Sequence, residues 1–297
     1  MSKIGVDFGG TRIKLARVDG DQILSEESIE TPQTGGPEAV LTAIADAVLR
    51  LDRYPEAIGL AIPGQVDAKG ACYRLPNVPG FEGFRVASFL EPRLGCAVHI
   101  ENDANAAAHG EALFGIGKKH RSFALFTLGT GVGGGIVIDG RVRTGTHGFA
   151  AEIGHVVIDT RAEAWPCACG RTGCVESYAG TKALLRKFEE LGGVADEVKT
   201  IALAARAGQR AGLEAFAMMA ESLARAVTVI QTLLDVDAVG FTGGISASFD
   251  LIEAELRRHV QKLAYSKPLG EVPLVVGELG ARAGVVGAAH LHLLSGR

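Results

Sequence analysis

Two stretches of this chain share one pattern, in which a short apolar strand, a glycine-rich turn and a second strand follow one another. The first copy covers residues 4–18 and the second covers residues 123–138. Glycine accounts for 40 of the 297 residues, about twice its usual share, so tight turns and close approach of the backbone to a ligand are expected. The repeat predicts two α/β lobes that face a cleft, where ligands usually bind.

The hydrophobic pattern extends this organisation along the chain. It predicts strands at 4–8, 13–18, 22–29, 57–62, 98–100, 123–128, 136–138, 239–242 and 274–276, and helices at 39–51, 103–114, 181–191, 198–207, 213–234 and 284–294. Residues 65–84 are rich in Gly and Pro and predict loops. We expect a small lobe at 1–115 and a large lobe at 116–283, with the C-terminal helix, 284–297, packed back on the small lobe.

The two glycine turns, at 7–11 and 128–135, place backbone N–H groups and a threonine hydroxyl at a strand junction. Such turns form concave sets of donors that bind phosphate oxygens. Gly129, Gly131 and Gly134 fit G-x-G-x-x-G, but a strand follows them where a dinucleotide-binding site needs a helix. Ordinary hairpin glycines are the alternative interpretation, and the recurrence of the turn in equivalent places favours phosphate binding.

The segment 101–105, Glu-Asn-Asp-Ala-Asn, follows a short strand and begins a helix. Asp103 or Asn102 can be the N-cap of that helix, which is a purely structural role. Alternatively, Asp103 is a general base that takes the proton from an attacking hydroxyl while Asn102 binds a polyol by hydrogen bonds. The sequence leaves both interpretations of Asp103 open.

Three cysteines lie within eight residues, in the segment CACGRTGC, a short distance after a histidine. His155, Cys167, Cys169 and Cys174 make a Cys₃His set, a combination suited to structural zinc. Free cysteines in a core are the alternative, but Gly, Arg and Thr surround these three and argue against burial. The two remaining cysteines, Cys72 and Cys96, stand alone and are expected to be inert thiols.

Charge and hydropathy exclude several classes of protein. A net charge of −4 disfavours a general nucleic-acid binder, which is normally basic. No apolar run approaches the ~20 residues of a membrane span. The chain enters a strand-like run within its first residues, without the pattern of a secretory signal. We therefore expect a cytoplasmic protein that binds neither nucleic acid nor membrane.

The motifs DFGGT, ENDAN, LGTGVGGG, EIGH, CACGRTGCVE and FTGGIS together resemble the ROK family of bacterial sugar kinases. The resemblance spans nearly the whole chain, and the CxCGxxGCxE element is very specific. It implies the two-lobed, ribonuclease H-like fold of the sugar kinase/actin/Hsp70 superfamily, with an interlobe cleft. One departure is Ala151, where the family often has glycine before the glutamate; an added methyl is expected to matter little.

By that resemblance Asp103 is the catalytic base, and it binds the sugar hydroxyls together with Asn102, Glu152, His155 and Glu176. His155, Cys167, Cys169 and Cys174 hold zinc. The residues that surround the nucleotide and its magnesium ion are Asp7, Gly9, Gly10, Thr11, Gly129, Thr130, Gly131, Gly133, Gly243 and Gly244, the last two near the adenosine.

The resemblance further implies ATP-dependent phosphorylation of a hexose, with glucose at the 6-hydroxyl as the expected substrate and a homodimer as the expected assembly. N-acetylglucosamine, N-acetylmannosamine, fructose and allose kinases share this set of residues and remain alternatives. Sugar-sensing repressors of the family carry a DNA-binding domain ahead of the first strand, which here begins near Ile4. A non-catalytic sugar binder is disfavoured because Asp7, Asp103 and both glycine turns are intact.

Overall fold

The structure is a computed structural model that describes residues 3–67, 70–75 and 78–294. Parts of the predicted loop region (68–69 and 76–77) and of the predicted terminal helix (295–297) lie outside the described residues. The strands are β1 (Lys3–Phe8), β2 (Arg12–Asp19), β3 (Gln22–Glu30), β4 (Ala57–Ile62), β5 (Gln65–Val66), β6 (Cys72–Arg74), β7 (Ala97–Asn102), β8 (Phe123–Leu128), β9 (Val132–Ile138), β10 (Arg141–Val142), β11 (Ala238–Thr242) and β12 (Leu274–Val276).

Ten helices accompany these strands within the described residues. They are α1 (Gly36–Leu51), α2 (Val86–Leu94), α3 (Asp103–Phe114), α4 (Glu176–Ala179), α5 (Thr181–Glu190), α6 (Val198–Arg206), α7 (Arg210–Leu234), α8 (Glu253–Leu263), α9 (Lys267–Gly270) and α10 (Ala283–Ala289). None of them combines the length and apolar character needed to cross a bilayer.

The two larger sheets have the same topology. The first has the strand order β3-β2-β1-β4-β7, and the second has the order β10-β9-β8-β11-β12. In the first, β1 pairs antiparallel with β2 and parallel with β4, and β4 continues parallel to β7. In the second, β8 and β12 both pair parallel with β11. The repeat predicted from the two strand–turn–strand segments is therefore confirmed.

Helices cover both faces of the first sheet. Apolar side chains of β1 and β2 pack with α1 and α2 in one buried cluster. On the opposite face α10 packs against β1, β4 and α3. Contact there is so close that a Cβ atom at Gly59 would lie 1.6 Å from the carbonyl oxygen of Ala288. Only glycine allows this approach, which fixes the C-terminal helix against β4, the strand between those that carry Asp7 and Asn102.

The chain divides into two units whose boundaries differ from the predicted ones. The first contains residues 1–121, 135–151 and 281–297, and the second contains 122–134 and 152–280. Segment 135–151 joins the first unit because α3 packs on β10 and a Cβ atom at Gly135 would lie 2.4 Å from Cβ of Ala108. The hydrophobic pattern along the chain carries no information about this tertiary contact.

Several elements differ from the sequence-based predictions. The stretch 129–135 is not one long turn, because β9 already begins at Val132 and the turn is confined to 129–131. The region predicted as loops contains the short hairpin of β5 and β6. Helices α2, α4, α8 and α9 were not predicted. Helix α2 contains Pro92, which normally argues against a helix. Most other bounds agree with the prediction within three residues.

Candidate active site

Asn102 and Asp103 lie at the junction of β7 and α3, in the first unit. Asn102 is the N-cap of α3: its Oδ1 accepts hydrogen bonds from the backbone N–H of Ala104 (2.9 Å) and Asn105 (3.1 Å). Its amide Nδ2 donates to the carbonyl of Gly64 (2.9 Å) and to Oδ1 of Asp103 (3.1 Å). Of the two predicted cap residues, the structure therefore selects Asn102.

Asp103 is the first residue of α3, and its carboxylate is held in place by neighbouring donors. Oδ1 accepts from the Asn102 amide and from the backbone N–H of Ala104, the latter at 2.8 Å. Beside it, Glu101 accepts from the backbone N–H of Asn102 (2.9 Å) and from Nδ2 of Asn105 (3.1 Å). Burial raises the pKa of Glu101, although these two hydrogen bonds oppose the shift.

Asp7 lies near the end of β1, next to the first glycine turn. The turn is closed by a hydrogen bond from the N–H of Gly9 to the carbonyl of Arg12 (3.1 Å), and Oγ1 of Thr31 donates to the Gly9 carbonyl (2.7 Å). Burial raises the pKa of Asp7, and the positive charge of Lys14 partly offsets this rise. Lys14 is the partner of Asp7 in the β1–β2 register, so both side chains lie on one face of the sheet.

The second glycine turn, residues 129–131, joins β8 to β9 in the second unit. The N–H of Gly129 donates to the carbonyl of Gly131 (3.0 Å). Gly133, predicted to lie in the turn, is instead a residue of β9. Gly243 and Gly244 directly follow β11; Gly243 has a φ of 91° and its carbonyl accepts from Ser246.

The predicted metal ligands converge in the second unit. One ligand atom from each of His155, Cys167, Cys169 and Cys174 lies within 4.8 Å of the others. Sγ of Cys167 is 3.5 Å from Nδ1 of His155, and the sulfurs of Cys169 and Cys174 are 3.8 Å apart. Cys174 is fully buried, contrary to the expectation that all three thiols avoid burial. Three sulfurs and one imidazole nitrogen at these distances fit a tetrahedral zinc ion.

The loop that carries these ligands also holds three predicted sugar-binding residues. Glu152 precedes the one-turn helix Ile153–His155, and His155 is the last residue of that helix. Glu176 begins α4, two residues after Cys174. Oε2 of Glu176 accepts from the N–H of Val132 (3.0 Å), and Oε1 is 3.8 Å from Sγ of Cys167. The structure thus brings Glu176 together with the metal ligands and the second glycine turn.

Two features of the site were not predicted. Thr181, at the start of α5, donates both its N–H (3.0 Å) and its Oγ1 (2.9 Å) to the carbonyl of Gly129. The start of this helix at Thr181 was predicted, but its contact with the glycine turn was not, because 52 residues separate Thr181 from Gly129. Ala151 has a φ of 65°, a left-handed conformation that favours glycine. Alanine in place of the family's glycine at position 151 therefore strains the backbone, in addition to adding a methyl group.

The remaining cysteines agree with the expected absence of reactivity. Cys72 is buried, and burial, reinforced by the negative charges of Asp67 and Glu82, raises the pKa of its thiol to about 12. Burial also raises the pKa of Cys96, with a further contribution from Glu91. Thiols with raised pKa values are poor nucleophiles at neutral pH.

The shared strand order of the two sheets, with helices on both faces of the first, defines the actin-like ATPase fold. The sequence profile of the ROK family matches residues 3–294. A glucokinase from Streptomyces coelicolor is 36% identical over 312 aligned residues, covering 97% of this chain and 96% of that protein. An N-acetyl-D-glucosamine kinase from Vibrio cholerae is 33% identical, covering 97% of this chain and 99% of that protein.

A solved structure is similar throughout its length. A ROK family glucokinase from Streptomyces griseus, in complex with glucose and AMPPNP, superposes with a TM-score of 0.85 at 34% identity, covering 98% of this chain and 99% of that chain. This chain belongs to the ROK family.

Proposed function

We propose that this chain, a sugar kinase of the ROK family, transfers the γ-phosphoryl group of ATP to the 6-hydroxyl of glucose, with Asp103 as the general base. The observation that carries the proposal is the carboxylate of Asp103, held at the start of α3 while the neighbouring Asn102 caps the helix. The cap of α3 is Asn102, and Oδ1 of Asp103 also accepts from the N–H of Ala104, a contact that an acid in the first turn of a helix commonly makes. A fixed carboxylate next to a strand end is suited to accept a proton from a substrate hydroxyl.

Phosphoryl transfer depends mainly on positioning and on neutralising charge. We assign the phosphates of ATP to the two glycine turns, with Asp7, Gly9, Gly10 and Thr11 on the first and Gly129, Thr130 and Gly131 on the second. Gly133 and the adenosine-side residues Gly243 and Gly244 complete the assigned set. The carboxylate of Asp7, a partly buried residue, is a hard oxygen ligand suited to holding a magnesium ion, which would neutralise charge on the phosphate oxygens.

The assigned sugar ligands are Asn102, Asp103, Glu152, His155 and Glu176. We assign zinc to His155, Cys167, Cys169 and Cys174, where it would stabilise the loop that presents Glu152 and Glu176. The support is that one ligand atom from each of these four residues lies within 4.8 Å of the others. The zinc would have no part in proton or phosphoryl transfer.

N-acetylglucosamine is the second candidate substrate, because a kinase named for that sugar is 33% identical to this chain. N-acetylmannosamine, fructose and allose complete the set of sugars to compare. The deciding experiment measures kcat/KM with ATP and each of the five sugars. We expect the largest value for glucose. A larger value for N-acetylglucosamine would reassign the substrate, and the absence of ADP release with every sugar would contradict kinase activity itself.

We also propose that the chain forms a homodimer. An apolar groove of about 410 Å³ lies between α7 and the end of α8, lined by Leu233, Leu263 and Tyr265 among others. Leu233 is 74% exposed and Tyr265 is 87% exposed, which is unusual for large apolar side chains in one patch. In a twofold dimer the Tyr265 of each copy is available to cover the groove of the other, since the same surface serves both copies.

A cytoplasmic location belongs to the same proposal. None of the five cysteines, all of which lie within the described residues, forms a disulfide, which is typical of a reducing compartment. ATP as the phosphoryl donor is also consistent with that compartment.

A further inference from the structure

The second glycine turn is held by hydrogen bonds from α4 and α5. Glu176 accepts from the N–H of Val132 at 3.0 Å, at the end of the turn. Thr181 donates twice to the carbonyl of Gly129, at its beginning. A turn made of Gly-Thr-Gly has little conformational preference of its own. These contacts therefore fix the direction in which its N–H groups point.

The position of Glu176 also explains why residue 131 is glycine. A Cβ atom at Gly131 would lie 2.1 Å from Oε2 of Glu176. Any side chain there would displace the carboxylate from the Val132 N–H. The carboxylate and the turn are thus fitted to each other, although 44 residues separate Glu176 from Val132 in the sequence.

The other end of the same carboxylate faces the metal site. Oε1 of Glu176 is 3.8 Å from Sγ of Cys167, which is itself 3.5 Å from Nδ1 of His155. Cys174, another ligand, precedes Glu176 by two residues, and the intervening Val175 donates its N–H to the carbonyl of Val156 (3.0 Å). Glu176 therefore has one oxygen on the glycine turn and one oxygen beside the Cys₃His cluster.

We propose that Glu176 is a positioning residue that links the second glycine turn to the Cys₃His cluster. When the cluster holds a metal ion, Glu176 keeps the turn ordered, and the protein therefore binds the nucleotide more tightly. The inference rests on the proposed function, in which this turn binds the phosphates of ATP. A metal ion cross-links His155 to the segment 167–174 and so removes freedom from the loop that carries Glu176. Without that cross-link, the carboxylate no longer holds the Val132 N–H in one position.

The test measures ADP affinity by calorimetry, in the presence of magnesium and without sugar, for the full-length chain. The protein is compared as loaded with zinc and after depletion with a chelator under reducing conditions. We expect depletion to weaken ADP binding about tenfold, the effect of losing a hydrogen bond to a charged group. Equal affinities in a folded, depleted protein would overturn the proposal.

Variants at position 176 separate the proposed linkage from general loss of structure. Glu176→Ala should weaken ADP binding in the zinc-loaded protein. Removing zinc from this variant should then weaken ADP binding little further, because the substitution and the loss of zinc act through the same contact. Glu176→Gln keeps an oxygen that can accept from Val132 and should restore ADP affinity. Glu189→Ala, an exposed acid on α5 of the same unit, is the matched control and should behave like the unmodified protein.

Hydrogen exchange keeps the proposal testable if depletion unfolds the protein. In the loaded Glu176→Ala variant, the Val132 amide should exchange at least tenfold faster than in the unmodified protein, while amides of β11 keep their protection. Unchanged exchange at Val132 together with unchanged ADP affinity would overturn the proposal. Failure of the proposed function is distinguishable, because then no form of the protein, loaded or depleted, would bind ADP.

Discussion

The side-chain amide of Asn102 donates a hydrogen bond to Oδ1 of Asp103, with 3.1 Å between the two atoms. The other N–H of this amide is bound to the carbonyl of Gly64, and its oxygen accepts from two backbone N–H groups of α3. All the hydrogen-bonding capacity of Asn102 is thereby used within the protein. In this conformation Asn102 positions the acid beside it, and sugar binding by Asn102 would have to replace one of these bonds.

Asp103→Asn is therefore a clean test of the general base. We expect kcat to fall by at least about 10²-fold, with little change in the melting temperature because Asn102 remains the helix cap. Steady-state kinetics and thermal unfolding measure the two effects. Asp46→Asn, at an exposed position on α1, is the control and should retain full activity. Turnover close to normal in Asp103→Asn would show that another group accepts the proton.

Metal content is expected to be about one zinc ion per chain by elemental analysis. Cys169→Ser should lower that value and the free energy of unfolding, because it removes one of four ligands. Cys96→Ser, at a partly buried thiol outside the cluster, should keep the full zinc content.

Glucose affinity should fall on metal removal, since His155 and Glu176 lie on the metal loop. A depleted protein with unchanged glucose affinity would contradict this.

Asp7→Asn should stabilise the nucleotide-free protein near neutral pH while weakening nucleotide binding at least tenfold. Burial raises the pKa of Asp7 above its ordinary value of 3.8, with Lys14 acting in the opposite direction. The folded protein therefore binds the proton of the Asp7 carboxyl group more tightly than the unfolded chain does. As the pH rises from the ordinary pKa of the unfolded chain through the raised pKa of the folded protein, the contribution of Asp7 to the free energy of unfolding falls.

Urea denaturation at about pH 4 and at about pH 7.5 measures this difference. The advantage of the Asp7→Asn variant should be present at the higher pH and shrink at the lower one. Asp46→Asn again serves as the exposed control and should show no such pH-dependent gain. A variant that is less stable than the unmodified protein at neutral pH would disprove the proposed cost of ionising Asp7 in the folded protein.

Ala151→Gly should raise the free energy of unfolding by up to about 1 kcal/mol, because Ala151 has a φ of 65° that costs a non-glycine residue energy. The flexibility that glycine adds to the unfolded chain offsets part of this gain. Ala162→Gly, in an exposed turn with no such backbone strain, should give no gain. A loss of stability in Ala151→Gly would show that its methyl group makes compensating contacts.

Self-association through the apolar groove predicts a mass of about twice 30.9 kDa by light scattering. Leu233→Glu places a charge in the groove and should produce a monomer at micromolar concentration. The matched control is Leu203→Glu. Leu203 is also exposed, at 59%, but it lies on α6, outside the groove. A dimer that survives Leu233→Glu would show that another face mediates contact.

Local patterns in the sequence predicted much of the fold. Helix α1 follows from Pro37 and the spacing of the apolar residues in 39–51, and β4 follows from an apolar run closed by Pro63 and Gly64. The metal cluster could be predicted because three of its ligands lie within one short segment. In each case, the residues that decide the structure are close together in the chain.

Features that depend on distant contacts could not be predicted in this way. Asn and Asp are both good N-caps, and only the backbone of Asn102, with ψ of 145°, decides between them. The glycines after Gly131 suggest a longer turn, but the chain is already in β9, where Gly135 meets Ala108 of α3. No local pattern links Glu176 to Val132, because their contact joins segments far apart in the chain.

The packing of α10 against β1 and β4 has a consequence for synthesis of the protein on the ribosome. Strands β1 and β4 are synthesised more than 200 residues before α10, the helix that covers one face of them. During translation that face stays open to water and chaperones until α10 leaves the exit tunnel. Premature termination before Ala283 would thus leave β1 and β4 without their cover, which makes such products ready substrates for proteolysis.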